Sequence, residues 1–143
     1  MSREPLGRTA GDAAAAIAAG EVSSRELTEA VLRRIEAVNP RLNAVVELRA
    51  DEALRDAAQA DRAEADGPLH GVPITVKEAF NVAGLHTTWG NPAFEDYVAD
   101  WDATVVSRLR EAGAVIVAKT NAAFMLADFA QTFNDIYGRT NNP

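Results

Sequence analysis

The chain has 143 residues, 48% of them hydrophobic and 24% charged, a balance that supports a globular core and excludes a disordered chain. A net charge of −7, with no cluster of Lys and Arg, excludes a phosphate-binding nucleic-acid surface. Cysteine is absent, which excludes disulfides, thiolate catalysis and Cys-ligated metals together.

The first third reads as helical. Asp12 to Ala19 forms a short alanine-rich helix with Gly20 placed to stop it. Ala13–Ala19 is too short and too weakly apolar to span a bilayer, and no leader pattern opens the chain, so a cytoplasmic protein with no membrane partner is expected. Ser23-Ser24-Arg25-Glu26 is a capping box that starts a second helix. Leu27, Val31, Ile35 and Val38 lie along one stripe of that helix, and Asn39-Pro40 is expected to end it. Asn43 to Leu48 is a weak strand signal, followed by a charge-laced helix over roughly Ala50 to Ala65.

Asp66-Gly67-Pro68 then breaks the chain. Two compact apolar runs follow, Val72–Val76 and Ala114–Ala118, with a helix of about Ala103 to Ala112 between them, capped by Asp102 and closed by Gly113. Strand, crossover helix and strand make a βαβ unit, whose continuously apolar strands are buried on both faces. The class is therefore α/β, with a helical region over 1–66 and an α/β portion over 67–143. The connection from Lys77 to Trp101 is long enough to carry function or small elements of its own. Ala122 to Tyr137 reads as a loop followed by one or two helical turns.

The chain holds only two lysines against twelve arginines, and each lysine directly follows one of the apolar runs: Lys77 and Lys119. Open parallel sheets bind ligands beyond the carboxyl ends of their strands. Lysine, unlike arginine, can be brought to a neutral, proton-accepting form by its surroundings. The alternative is that strand-end lysines only reach toward solvent. Gly113 to Thr120 matches a phosphate-binding loop in spacing, but Ala118 replaces the required glycine and the spacer is a strand, so that reading fails. His70 and His86 have no partner at metal-ligand spacing, and Asp96, Asp100 and Asp102 lack the glycine and glutamate of a calcium loop. No metal or cofactor is expected. Trp89, Phe94 and Trp101 fit either a pocket wall or a core.

Three blocks now stand out: Leu69-His-Gly-Val-Pro-Ile-Thr-Val-Lys77-Glu-Ala-Phe-Asn-Val-Ala-Gly84, Asp102 through Asn121, and Tyr137-Gly-Arg-Thr-Asn-Asn-Pro143. In that order and at that spacing they resemble the amidase signature family, and the Ser-Ser-Arg-Glu-Leu start of the helical third is similar too. The resemblance implies the first part of an amidase-signature-type sheet flanked by helices. It also implies hydrolysis of a carboxamide by a serine nucleophile, a second serine in a cis peptide, and a lysine, which here is Lys77. That chemistry asks for a neutral lysine to take a proton from the bridging serine. Lowering a lysine from its ordinary value to near neutrality requires about 4–5 kcal/mol, of the order that burial at the end of an interior strand supplies. Glu78 is expected to point to the opposite side of the strand, away from Lys77.

Lys119, Thr120 and Asn121 are candidates for ordering the site, and Met125 and Leu126 are candidates for substrate binding. Ala118 and Ala122-Ala123 depart from the family's usual glycine and proline-containing stretch. Ser2, Ser23, Ser24 and Ser107 lie at the terminus, in a cap or in a helix, and none suits a nucleophile. The expectation is the N-terminal portion of a longer amidase, inactive by itself, acting on a small-molecule amide, with a homodimer allowed. The alternatives are a fragment of a tRNA-dependent amidotransferase A subunit, which shares the fold and the lysine, and a non-catalytic α/β interaction module.

Overall fold

The computed structural model describes residues 9–128 and 130–143. Its chain divides into two compact units, each gathered from three stretches: Met1–Ile35, Arg49–Ile74 and Arg108–Val117 in one, and Glu36–Leu48, Thr75–Ser107 and Ala118–Pro143 in the other. The helices are α1 (Ala10–Ala18), α2 (Ser24–Leu42), α3 (Ala50–Ala60) and α4 (Thr104–Glu111). The strands are β1 (Val45–Leu48), β2 (Pro73–Lys77), β3 (Val115–Thr120), β4 (Phe133–Asn134) and β5 (Gly138–Arg139). Ser2 lies outside the described residues.

In the first unit, α1 begins earlier than expected because Thr9 and Asp12 form a capping box. The box at the start of α2 is present: Glu26 N donates to Ser23 Oγ at 3.1 Å, and Ser23 N donates to Glu26 Oε2 at 2.9 Å. α3 stops at Ala60, not Ala65. Its next residue, Asp61, turns its carboxylate to the start of α2, accepting from Ser24 N at 2.7 Å and Arg25 N at 3.1 Å. Ala13, Leu27 and Val72 form a buried cluster, with Ile17, Val22, Leu69 and Ile74 packed on it. Gly113 ends α4 at a φ of +88°, where a Cβ would lie 2.7 Å from both Asp66 O and His70 Cα. Only glycine fits that approach. The His70 ring bridges two backbone groups: Nδ1 accepts from Asp66 N, and Nε2 donates to Ala60 O.

In the second unit, α2 runs through Pro40 to Leu42, so Asn39-Pro40 does not end it. In this last turn, Asn43 N donates to Asn39 O at 2.7 Å. The Asn39 amide meanwhile accepts from Ala44 N and Val45 N and donates to Val45 O. The helix ends where Asn43 turns left-handed at φ 51°.

The three-stranded sheet has the order β1-β3-β2. β1 runs antiparallel to β3, with Glu47 opposite Lys119. Val115 N donates to Val72 O near one end of β3 and Glu78 N donates to Thr120 O at the other, the order of a parallel pair. Both strands extend further than the apolar runs. Lys77 is therefore the last residue of β2, and Lys119 sits inside β3, where Thr120 is the final residue. Residues 122–137, expected to be a loop followed by one or two helical turns, hold one 3-10 turn at Phe124–Leu126 and also the first strand of the β4–β5 hairpin, which was not expected.

Candidate active site

Alternation along β2 decides where Lys77 points. Val76 and Glu78 are buried while Lys77 between them is exposed, so Lys77 and Glu78 leave the backbone on opposite sides. Lys77 lines an open cavity of about 820 Å³ with Asp128, Gln131, Thr132, Arg139 and Asn141. Its ammonium makes no hydrogen bond or ion pair among the described residues. The burial expected of Lys77 is not supplied by these residues: it closes a strand at the edge of the three-stranded sheet, and the central strand buries the other lysine.

Lys119 is fully buried. Its Nζ donates to Phe80 O at 2.9 Å, His86 O at 2.6 Å and Thr87 Oγ1 at 2.9 Å, which uses all three ammonium protons. Burial pulls its pKa down to about 8, against the opposing pull of the Glu78 and Glu47 carboxylates. Thr120 supplies the carbonyl that receives Glu78 N. Asn121 donates to Gly138 O and Thr140 Oγ1, each at 3.1 Å, and accepts from Asn134 Nδ2 at 2.8 Å, which ties the end of β3 to the hairpin beside the cavity.

Met125 and Leu126 are exposed, and both stand in the left-handed region at φ 48° and 59°. The loop is held there partly by Met125 N donating to Trp89 O at 2.7 Å. Neither residue is among those described around the Lys77 cavity. Trp89, Phe94 and Trp101 do line a pocket: with Phe80 and Tyr97 they wall a separate, apolar cavity of about 500 Å³. Ser23 and Ser24 cap α2 and Ser107 lies in α4, so no described serine reaches the Lys77 cavity.

Several positions escaped sequence reasoning. Asn134 is buried and makes four hydrogen bonds, donating to Asn121 Oδ1 and Ala122 O and accepting from Ile136 N and Tyr137 N. His86 pairs through Nδ1 with Glu47 at 2.9 Å, across 39 positions of chain. No local signal announces such a contact. Glu78 and Thr88 are joined in the same way, and the only hint was an acid placed directly after an apolar strand.

This is an α/β protein that presents an exposed lysine at the end of a strand and buries a second, saturated lysine behind it. A family model described as Amidase matches residues 26–143. The chain belongs to that family, the amidase signature enzymes. It is 41% identical over 139 residues to an acylamidase of Rhodococcus erythropolis, covering 94% of this chain and 29% of the relative. It is 47% identical over 137 residues to an indoleacetamide hydrolase of Bradyrhizobium diazoefficiens, covering 92% and 26%. Glutamyl-tRNA(Gln) amidotransferase of Geotalea daltonii contains a similar chain, 44% identical over 126 residues, with coverage of 86% and 26%. A solved fatty acid amide hydrolase superposes with a TM-score of 0.88 at 31% identity, covering 95% of this chain and 25% of that one. The chain thus spans under a third of the length of these relatives.

Proposed function

We propose that this chain supplies the lysine-bearing part of an amidase that hydrolyses a small-molecule carboxamide in the cytoplasm. One observation carries the reading: Lys77, in the block Gly71-Val-Pro-Ile-Thr-Val-Lys77-Glu78, projects unpaired into an open cavity. In neutral form Lys77 takes a proton from a bridging serine, which in turn deprotonates the nucleophilic serine. Neither serine is among those of this chain, so the proposed enzyme carries both outside it. Lys119, Thr120 and Asn121 order the backbone around the site, and Met125 and Leu126 contact the substrate on a loop whose left-handed residues hold it in a defined, strained shape.

The test is a chimera in which this chain replaces the matching portion of the Rhodococcus erythropolis acylamidase. The chimera releases amine or ammonia from an amide, and Lys77→Ala lowers turnover by about 10³-fold. Activity that survives Lys77→Ala sinks the assignment of the base. The 143-residue chain alone is inactive, and turnover by it would show that its nucleophile had been overlooked.

The similarity to the Geotalea daltonii amidotransferase favours a second reading, in which the parent protein works only within a partner assembly. Isolation of the parent protein with other polypeptides supports that reading, and turnover of simple amides without them counts against it.

A further inference from the structure

Glu78 is fully buried, and a buried carboxylate is unfavourable unless it is paired and hydrogen-bonded. Its Oε1 accepts from Thr88 N, and its Oε2 has no hydrogen-bond partner among the described residues. Lys119, in the neighbouring strand β3, bears on the same segment, and the Glu78 carboxylate opposes the lowering of its pKa by burial. The three acceptors of the Lys119 ammonium belong to Phe80, His86 and Thr87, all in the segment that follows Glu78. The carboxylate therefore holds the far end of this segment while the ammonium holds its interior. At the near end, Glu78 N is bonded to Thr120 O at 2.8 Å, next to Lys119.

We propose that Glu78 is a positioning residue for Lys77. Its buried carboxylate and the Lys119 ammonium form an internal clamp that gathers residues 78–88 onto β3 and fixes the direction in which Lys77 leaves β2. Glu78 directly follows Lys77, the last residue of β2, so a Glu78 locked at its backbone N and its carboxylate constrains the direction in which Lys77 leaves the strand. The neighbouring charges do not substitute for the clamp. Glu47, from β1, is occupied by the backbone N and Nδ1 of His86. Tyr137, beyond β4, carries a hydroxyl whose pKa is raised by burial first and by Glu78 second, so it stays a neutral hydroxyl. Positioning matters because a misplacement of about 1 Å at a reacting group costs about a hundredfold in rate. The inference rests on Lys77 being the base, and its test separates the two ideas.

The first arm uses the 143-residue chain, whose two lysines make peptide-resolved acylation with an amine reagent unambiguous. In the native chain Lys77 is labelled and Lys119 is protected. In Glu78→Gln, labelling of Lys119 rises about tenfold or more through opening of the segment, and the Lys77 rate shifts about threefold. Rates within about twofold of wild type at both lysines overturn the clamp. Should Glu78→Gln fail to fold by circular dichroism, Glu78→Asp keeps the charge but withdraws it by one methylene from Thr88 N, and the same criteria apply. The second arm places Glu78→Gln in the chimera: kcat falls about tenfold to a hundredfold with KM little changed, and Glu78→Asp restores part of the loss. An unchanged kcat overturns the positioning role. An inactive wild-type chimera instead refutes the amidase reading, while the labelling arm still decides whether Glu78 governs Lys77.

Discussion

Thr87→Val is a small change with a calculable consequence. The two side chains are nearly isosteric, and Thr87 is 3% exposed, so the substitution opens no cavity and strips one acceptor from the Lys119 ammonium. A buried charged donor left without its partner costs about 1.5–3 kcal/mol. That is the loss where Lys119 stays charged; at pH 7.5, half a unit below its folded pKa of about 8, release of the proton caps the loss at about 0.8 kcal/mol. The loss should depend on pH in a definite sense. The Lys119 pKa is about 8 in the fold against 10.5 for the ordinary lysine. A lysine lowered in this way contributes stability that is fully present above its unfolded value and lost as pH falls through its folded value. Removing an acceptor lowers the folded value further, so the variant suffers most where Lys119 must be charged. A neutral amine has two N–H groups, and the carbonyls of Phe80 and His86 remain to receive both. The deficit should therefore shrink by more than half between pH 7.5 and 9.5. Tyr137 contributes with the opposite sign, because its pKa is raised by burial and its stabilisation fades as pH climbs, but it does so equally in both proteins. Urea unfolding followed by far-ultraviolet circular dichroism at the two pH values measures the difference directly. A deficit below about 0.5 kcal/mol at pH 7.5, or one that grows by pH 9.5, refutes the assignment of three working hydrogen bonds to a charged Lys119.

Three further outcomes are expected from the same unfolding assay. Gly113→Ala places a Cβ 2.7 Å from the Asp66 carbonyl at a φ of +88°, and the loss should reach about 2–4 kcal/mol. Asp61→Ala removes the carboxylate that receives Ser24 N and Arg25 N at the start of α2, for a loss of about 1–2 kcal/mol. Asn134→Asp replaces the one nitrogen that donates both bonds with an oxygen facing Asn121 Oδ1 and Ala122 O, and about 3 kcal/mol or more should be lost above pH 6.

Local chemistry made much of the fold legible. The Ser23–Glu26 box, the stop at Gly113 and the apolar runs ahead of each lysine are signals within a few residues of one another. α2 continues past Asn39-Pro40 because proline in a last turn forfeits only one amide donor, and the Asn39 side chain bonds the backbone beyond it. The site was half legible. That Lys77 and Lys119 were unusual could be read from an arginine-rich composition, but which of them is buried depends on strand order. β3 lies between β1 and β2, and no pattern along the chain states that order. The same limit hid Asn134 and the Glu47–His86 pair, whose partners are brought near only by tertiary folding.

The aromatic cavity has a consequence for how this molecule can be observed. Trp89 and Trp101 are the chain's two tryptophans, and both stand in its wall. Trp89 is held by a 2.7 Å bond from Nε1 to Ala79 O, while Trp101 is more than half exposed. Intrinsic fluorescence is accordingly a local probe, reporting wetting or filling of that one hollow. An emission shift without a change in circular dichroism would record a ligand or a neighbouring polypeptide entering the hollow, and not the melting of the helices.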